Sequence, residues 1–439
     1  MREMKDSGIE WIGTIPKEWS VIRLCYLIGG YKAGPFGSAL IMDKLADEGD
    51  ILVYTPEIIA ENRTDLPNNK YLQEERLKEM EQFVVQKDDI IFPIVGSLGR
   101  AMLITEDMPT GIINQRLSKF HLTSEVLFID YFLWLFAKSS FYAPFIDVSC
   151  RGSIIVNLTK AILHDMPVII PSIKEQKTIS KYLDSKCLEI DSVISDIQSQ
   201  IEALEEYKKS LVFRVVSKGF KKSALKATTS EVWTNIPENW KLVDIKYVFE
   251  IVKRIAGQEG FDVLSVTQRG LKVKDIESNN GQQAESYAGY QFVYPTDYVM
   301  NHMDLLTGWV DCSTMFGVTS PDYRVFRLHD KKNNDLTYFK YLMQCCYMSR
   351  IFYSLGQGVS NLGRWRLQTS AFNNFMIPVP PLDEQREIAE YLDNKIMEIE
   401  GIIADKQKQI ETIEEYKKSL IFEYVTGKKE VEVETNERQ

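Results

Sequence analysis

The sequence predicts an α+β fold: two globular mixed α/β domains separated by two long antiparallel coiled-coil helices, forming a pseudo-two-fold internal repeat. Three observations predict it. One 45-residue segment occurs twice, a short aromatic motif stands before each globular stretch, and an apolar seam with alternating spacings of four and three runs through both copies of the repeat.

Self-similarity decides architecture before any local propensity does. Residues 175–219 align without a gap on residues 384–428, with 24 identities in 45 positions. Trp11-x-x-x-Ile15-Pro16-x-x-Trp19 reappears, one residue shorter, as Trp233-x-x-Ile236-Pro237-x-x-Trp240. Between these shared ends, residues 20–165 and 241–374 show no similarity that aligns. The expected order is a first globular domain over 1–170, a constant helix over 171–225, a second domain over 226–379, a second constant helix over 380–432 and a polar tail over 433–439.

In the first copy the seam falls on positions 183, 187, 190, 194, 197, 201, 204, 208, 211 and 215, all apolar except Lys208. That is a heptad pattern, so the helix is built to pack along another helix. In the second copy the seam is Leu392, Ile396, Ile399, Ile403, Lys406, Ile410, Ile413, Lys417, Leu420 and Tyr424. Ser172-x-x-Glu175 after Pro171 fits a capping box, and Pro380-Pro381 precedes the second helix. If the copies pair with each other, a pseudo-two-fold axis satisfies both most simply and makes them antiparallel. At about 1.5 Å per residue the seam is roughly 50 Å long.

The bulk numbers bound the rest. A chain of 439 residues exceeds one ordinary core, and 44% apolar content with 21 Tyr and 21 Phe is that of a folded soluble protein. No apolar run reaches the ~18 residues of a membrane span, and no secretory signal is read at the N-terminus. A cytoplasmic location without membrane association is expected. Cys25, Cys150, Cys187, Cys312, Cys345 and Cys346 include no C-x-x-C, and His121, His164, His302 and His329 show no ligand spacing. Reduced thiols and no structural metal are therefore expected. The formal charge is −10; residues 1–170 hold 17 basic and 23 acidic side chains, whereas residues 226–375 hold 16 and 15. Composition alone does not point to nucleic acid, for which cations supply most of the affinity.

Each variable domain nevertheless offers candidate contacts. In the first, the Gly34-Pro35-Phe36-Gly37-Ser38 turn has a bare backbone able to approach a phosphate, although a plain loop between strands reads the same way. Ser97 and Arg100 lie in a second glycine loop, Gly96–Arg100, after the strand-like run Ile90-Ile91-Phe92. Asn114-Gln115-Arg116 joins side chains suited to adenine and guanine edges. Arg151 and Asn157 close the set. In the second domain the candidates are Lys253, Arg254, Arg269, Asn301 and His302, then Asn361, Arg364 and Arg366 in the Gly356–Arg366 segment. That segment mixes cations, amides and Trp365 as a nucleic-acid groove would, and as an exposed basic loop also would.

Catalytic signatures are missing: no G-x-x-x-x-G-K-[ST], no G-x-S-x-G, no H-E-x-x-H and no N-P-P-Y-like segment. The paired acids Asp88-Asp89 and Asp47-Glu48 lack a lysine or histidine at useful spacing and read as solvated surface.

The combination resembles the specificity subunits of type I restriction-modification systems. The residues that carry the resemblance are Glu175-Gln176 with Ile179, Tyr182-Leu183-Asp184 and Tyr207 to Leu211. They recur as Pro381-Leu382-Asp383-Glu384-Gln385 with Ile388, Tyr391-Leu392-Asp393 and Tyr416 to Leu420, and the two I-P-x-x-W starts and the Gly34–Ser38 loop fit as well. The resemblance implies two target-recognition domains, each reading one half of a bipartite double-stranded DNA site. It implies no catalysis and no cofactor in this chain. Two modification subunits on the helices would carry S-adenosylmethionine and methylate adenine, and two restriction (motor-nuclease) subunits would use ATP with Mg, in phage defence. The lysines at seam positions 406 and 417 depart from the apolar pattern, which leaves either looser packing there or an acidic group from a partner. Two other classes stay open: a two-headed protein-binding scaffold with no DNA role, and an enzyme with a fused nuclease or methyltransferase activity.

Overall fold

The computed structural model describes residues 2–35, 45–95, 99–149, 157–275, 284–358 and 365–431. The chain forms two compact units: Met1–Asp196 with Gln409–Gln439, and Ile197–Lys408. Each unit therefore holds one globular head, the first half of one long helix and the second half of the other.

In the first unit the motif around Trp19 opens the head. Thr14–Pro16 pairs antiparallel with Met4–Asp6, the Trp19 amide closes a turn onto the Pro16 carbonyl at 3.0 Å, and the indole is buried. Ser20–Arg23 then pairs with Pro167–Ile170, the last strand of the head, so the two ends of the variable sequence are zipped together. Between them lies an antiparallel four-stranded sheet in the order Ile28–Ala33, Leu117–Leu122, Asp89–Pro93, Met102–Leu103. A smaller sheet of Tyr71–Leu72, Ile51–Tyr54 and Gly111–Ile113 packs with its own apolar cluster around Leu52, Ile58 and Ile112.

The second unit repeats this plan with unrelated residues. Asn235–Pro237 pairs with Leu225–Ala227, Trp240 N–H reaches the Pro237 carbonyl at 3.0 Å, and Lys241–Asp244 pairs with Met376–Val379. The four-stranded sheet runs Phe249–Val252, Arg324–Leu328, Tyr298–Met300, Val310–Cys312. In both heads the spatial order is first, fourth, second, third. The heads thus share a topology that sequence alignment does not reveal; they diverge in the inserted pieces, which in the second unit are the hairpin Leu264–Thr267/Gly270–Val273 and the pair Gln291–Val293/Gly317–Thr319.

One further echo becomes visible only through this topology. The helix after the fourth strand reads Tyr131-Phe132-Leu133-Trp134-Leu135 in the first head and Tyr338-Phe339-Lys340-Tyr341-Leu342 in the second. Trp134 Nε1 donates to Asp184 at 3.2 Å, and the Tyr341 hydroxyl donates to Asp393 at 2.5 Å. Those two aspartates occupy the same position of the repeat.

The long helices span Ile173–Lys218 and Leu382–Val425. The capping box closes the start of the first, with Ser172 N–H to Glu175 at 3.1 Å and Glu175 N–H to Ser172 Oγ at 3.3 Å. Although burial raises the Glu175 carboxyl, the Ser172 bonds and the pairing with Arg2 leave it below its usual range. Gly219 and Gly427 follow the two helices in the left-handed region, which favours glycine just past a helix end. None of the twenty seam positions is exposed.

Within each unit the two half-helices run antiparallel. In the first, Lys417 Nζ meets both carboxylate oxygens of Asp191 at 2.6 and 2.8 Å, and the Tyr424 and Tyr182 rings pack at 4.5 Å. In the second, Lys208 lies 3.6 Å from Glu400, and Lys406 donates to Gln200 at 2.5 Å. Lys208 and Lys417 are copies of one repeat position, and Glu400 and Asp191 are copies of another. The same ion pair is therefore formed twice, as a pseudo-two-fold requires, and the facing helix of this chain supplies the groups that meet both unexpected lysines.

One correction concerns charge. Asp89 is buried rather than solvated: Lys119 on the neighbouring strand pairs with it at 2.7 Å and His121 lies at 3.6 Å. Its partners are 30 and 32 residues away in the chain, out of reach of a spacing argument. The five described cysteines are free thiols, and Cys150 lies outside the described residues. No described helix is long and apolar enough to cross a membrane.

Leu183 is fully buried at the start of the seam, so Leu183→Ala is expected to lower unfolding stability by about 2–5 kcal/mol. Asp191→Ala, which removes a half-exposed ion-pair partner, is expected to cost under ~1 kcal/mol. Urea denaturation of the two variants checks the contrast.

Candidate nucleic-acid interface

The strand order brings most of the predicted residues that are described to one edge of each sheet. Because the first and second strands flank the fourth and run opposite to it, their carboxyl ends meet its amino end. Ala33 pairs with Ser118 and Pro93 with Leu117 in the first head; Val252 pairs with Val325 and Met300 with Arg324 in the second. Loops leaving this edge are free of ladder constraints and can vary in sequence without disturbing the sheet.

In the first head Gly34 leaves the first strand there. A Cβ at this position would lie 1.8 Å from the Asn114 carbonyl oxygen, so the bare glycine backbone is used for packing against Asn114. The Asn114 side chain accepts from Arg116 N–H at 2.9 Å and so shapes the turn, leaving Gln115 and Arg116 as the exposed members of the triplet; Arg116 has Glu57 at 3.9 Å. Arg100, before the third strand, is exposed and reaches the Ala60 carbonyl at 3.3 Å. Asn157 bridges Val95, and the Leu158 amide bonds the Ile94 carbonyl at 2.9 Å, so Asn157 and Leu158 lie at the same edge. Phe36, Gly37, Ser38, Ser97 and Arg151 lie outside the described residues.

In the second head Lys253 and Arg254 leave the first strand. Lys253 is exposed, whereas Arg254 is committed to the buried Asp297 and stacks over Tyr294 at 4.7 Å. Asn301 and His302 leave the second strand, as Ile94 does in the first head. The Asn301 carbonyl accepts from the Tyr347 hydroxyl at 2.8 Å, and the Leu367 amide bonds the His302 carbonyl at 3.0 Å, which brings exposed Arg366 alongside. Arg269 is exposed in the turn of the 264–273 hairpin, where Gln268 Nε2 donates to the Thr307 carbonyl at 3.4 Å. Asn361 and Arg364 lie outside the described residues.

Sequence reasoning missed Arg324. It is 4% exposed, donates to the Leu367 carbonyl at 3.1 Å and to Thr369 at 3.3 Å, and lies over Phe372 at 4.6 Å. It thereby fastens the Arg366 segment to the sheet. Period-two alternation of Arg324 with Phe326 and Leu328 was the available signal, since it places all three on one face. Burial, then the positive charges of Arg324 and Arg366, push His302 down to about 4.

The family model for the type I restriction modification DNA specificity domain matches residues 33–209 and again 237–412. The chain belongs to that family. It is 25% identical over 437 residues to the type I restriction enzyme MjaVIII specificity subunit of Methanocaldococcus jannaschii, covering 94% of this chain and 93% of that one. It is 23% identical over 447 residues to the putative MjaX specificity subunit of the same organism, with 95% of each covered. Its fold is also that of a chain in a solved structure concerned with assembly and conformational transition of the type I R-M system, with a TM-score of 0.65, 13% identity, and 94% and 98% of the two chains covered. As a type I specificity subunit, this chain carries two DNA specificity domains, and the edge described above is the candidate surface on each.

A depressed histidine stays neutral until the pH falls well below its unfolded value, so its folded state is favoured fully above about 6.5 and progressively less as pH drops toward 4. The His302 ring resonances are expected to show no titration between pH 8 and 5.5; a midpoint near 6.5 would show that the two arginines and burial do not act on it.

Proposed function

We propose that this specificity subunit recognises a bipartite, non-palindromic double-stranded DNA site, one half-site per head. Two modification subunits dock on the long helices, carry S-adenosylmethionine and methylate adenine within the site. Two restriction subunits, using ATP and Mg, cleave foreign DNA, so the assembly serves phage defence in the cytoplasm. This chain supplies recognition and spacing, binds none of those cofactors and performs no chemical step.

The observation that carries the reading is the contrast between constant and variable parts. Two heads of one topology but unrelated loop residues stand on duplicated helices that form the same contacts twice. Two heads that share a topology but not their residues are what two independent readers need, and a duplicated helix pair is what two copies of one partner need. Exposed Arg100, Arg116, Lys253, Arg269 and Arg366 offer the phosphate and guanine contacts. The excess of six acidic side chains in residues 1–170 favours one other reading, a two-headed protein-binding scaffold. A gel shift showing no DNA affinity at low salt, even with the modification subunits present, would favour that scaffold.

Helix length then sets the distance between half-sites. Inserting one heptad between Asp191 and Glu206, matched by one between Glu400 and Glu415, lengthens the pair by about 10 Å, or roughly three base pairs. Mapping methylated adenines should show unchanged half-sites separated by a spacer about three base pairs longer; an unchanged spacer would contradict the proposal.

A further inference from the structure

The Glu-Gln that opens both copies of the duplicated segment has a geometry that the recognition of two half-sites does not by itself explain. Gln176 is fully buried. Its Nε2 donates to the Val126 carbonyl at 2.7 Å and the Pro171 carbonyl at 2.9 Å, and its Oε1 accepts from the Phe128 amide at 2.7 Å. Gln385, 1% exposed, repeats two of these three bonds: Nε2 donates to the Pro380 carbonyl at 2.9 Å, and Oε1 accepts from the Asp335 amide at 2.8 Å. Phe128 and Asp335 are the residues that start the Y-F-x-aromatic-L helix of each head.

A second bond ties that helix to the other long helix. The Tyr131 hydroxyl donates to the Val425 carbonyl at 3.2 Å, and the Tyr338 hydroxyl to the Val216 carbonyl at 3.3 Å; Val425 and Val216 are copies of one repeat position. Each head is therefore bonded to the first turn of one long helix and the last turn of the other.

Among the described residues, every partner of these glutamine and tyrosine side chains is a backbone amide or carbonyl. Apolar packing beneath the head is non-directional and tolerates sliding, whereas hydrogen bonds weaken steeply with displacement and misalignment. A carboxamide with its oxygen and nitrogen both engaged also leaves buried backbone groups unpaired if the head tilts, which is costly. The seam fixes how far the helix pair extends, and the glutamine and tyrosine bonds fix the angle at which a head leaves it.

We propose that Gln176 and Gln385, seconded by Tyr131 and Tyr338, are positioning residues: a joint that reads only backbone and holds each head at a fixed angle to the helix pair, so that half-site spacing is recognised sharply whatever the head's own sequence. The inference rests on the bipartite reading above. It adds that spacing selectivity resides in the joint as well as in helix length, and that the joint is indifferent to which bases a head reads.

The test uses the full chain with its modification subunits and DNA duplexes carrying both half-sites at the native spacing or one base pair longer or shorter. Wild type should prefer the native spacing. Gln176→Met keeps the side-chain volume but removes the amide, and should reduce that preference by about tenfold, equivalent to 1.4 kcal/mol. Base preference within the half-site read by the second head should stay as in wild type, and Gln385→Met should give the mirror result. If Gln176→Met fails to fold, Tyr131→Phe, which removes one hydroxyl, carries the same expected loss of spacing preference. Undiminished spacing preference in the folded variants overturns the joint alone. A wild-type complex indifferent to spacing overturns the bipartite reading and the joint with it.

Discussion

Burial of two apolar seams against each other, in antiparallel register, is the constraint on which the rest of the molecule depends. Neither long helix completes its packing within one unit: each begins in one and ends in the other. The register is fixed by more than apolar contact. Lys208 with Glu400 and Lys417 with Asp191 form one ion pair twice, and a shift by a heptad would separate both. Exposed pairs of this kind add little stability. Their contribution is to alignment, which apolar side chains of similar size do not specify well.

The heads build outward from that frame. Their first and last strands are zipped together and their glutamine and tyrosine bonds grip backbone, while most of the residues of the two heads are unlike. The physical reason is direct. A residue that holds backbone can serve any head, while a residue that meets a base edge serves only one. The loops where the first and second strands end and the fourth begins, and the inserted small sheets, are therefore free to differ between the heads.

Much of this was legible in the sequence, for reasons that differ from element to element. The 24 identities between the copies gave the repeat, and heptad spacing gave a seam with no exposed member. The Ser172–Glu175 capping box gave the helix start. The shared sheet topology was not legible, because strands in a core accept any apolar residue of suitable size, and Phe120 and Phe326 need no common neighbours to fill equivalent space. The Y-F-x-aromatic-L echo is five residues long and emerges only once topology says where to look. Among site residues, the picks clustered at one edge because glycines, amides and cations mark loops. Side-chain commitments were invisible: Arg254 goes to Asp297, Asn114 to its own turn, and Arg324 to a carbonyl 43 residues away.

The central claim is that constant helices and backbone-reading joints carry two independent readers. Its most direct measurement exchanges the second head, residues 241–374, for the corresponding stretch of another specificity subunit and maps methylated adenines in cells that contain the modification subunits. The account predicts a split recognition sequence in which one half changes while the other half and the spacing between them are kept. A change in both halves, or in the spacing, would contradict it.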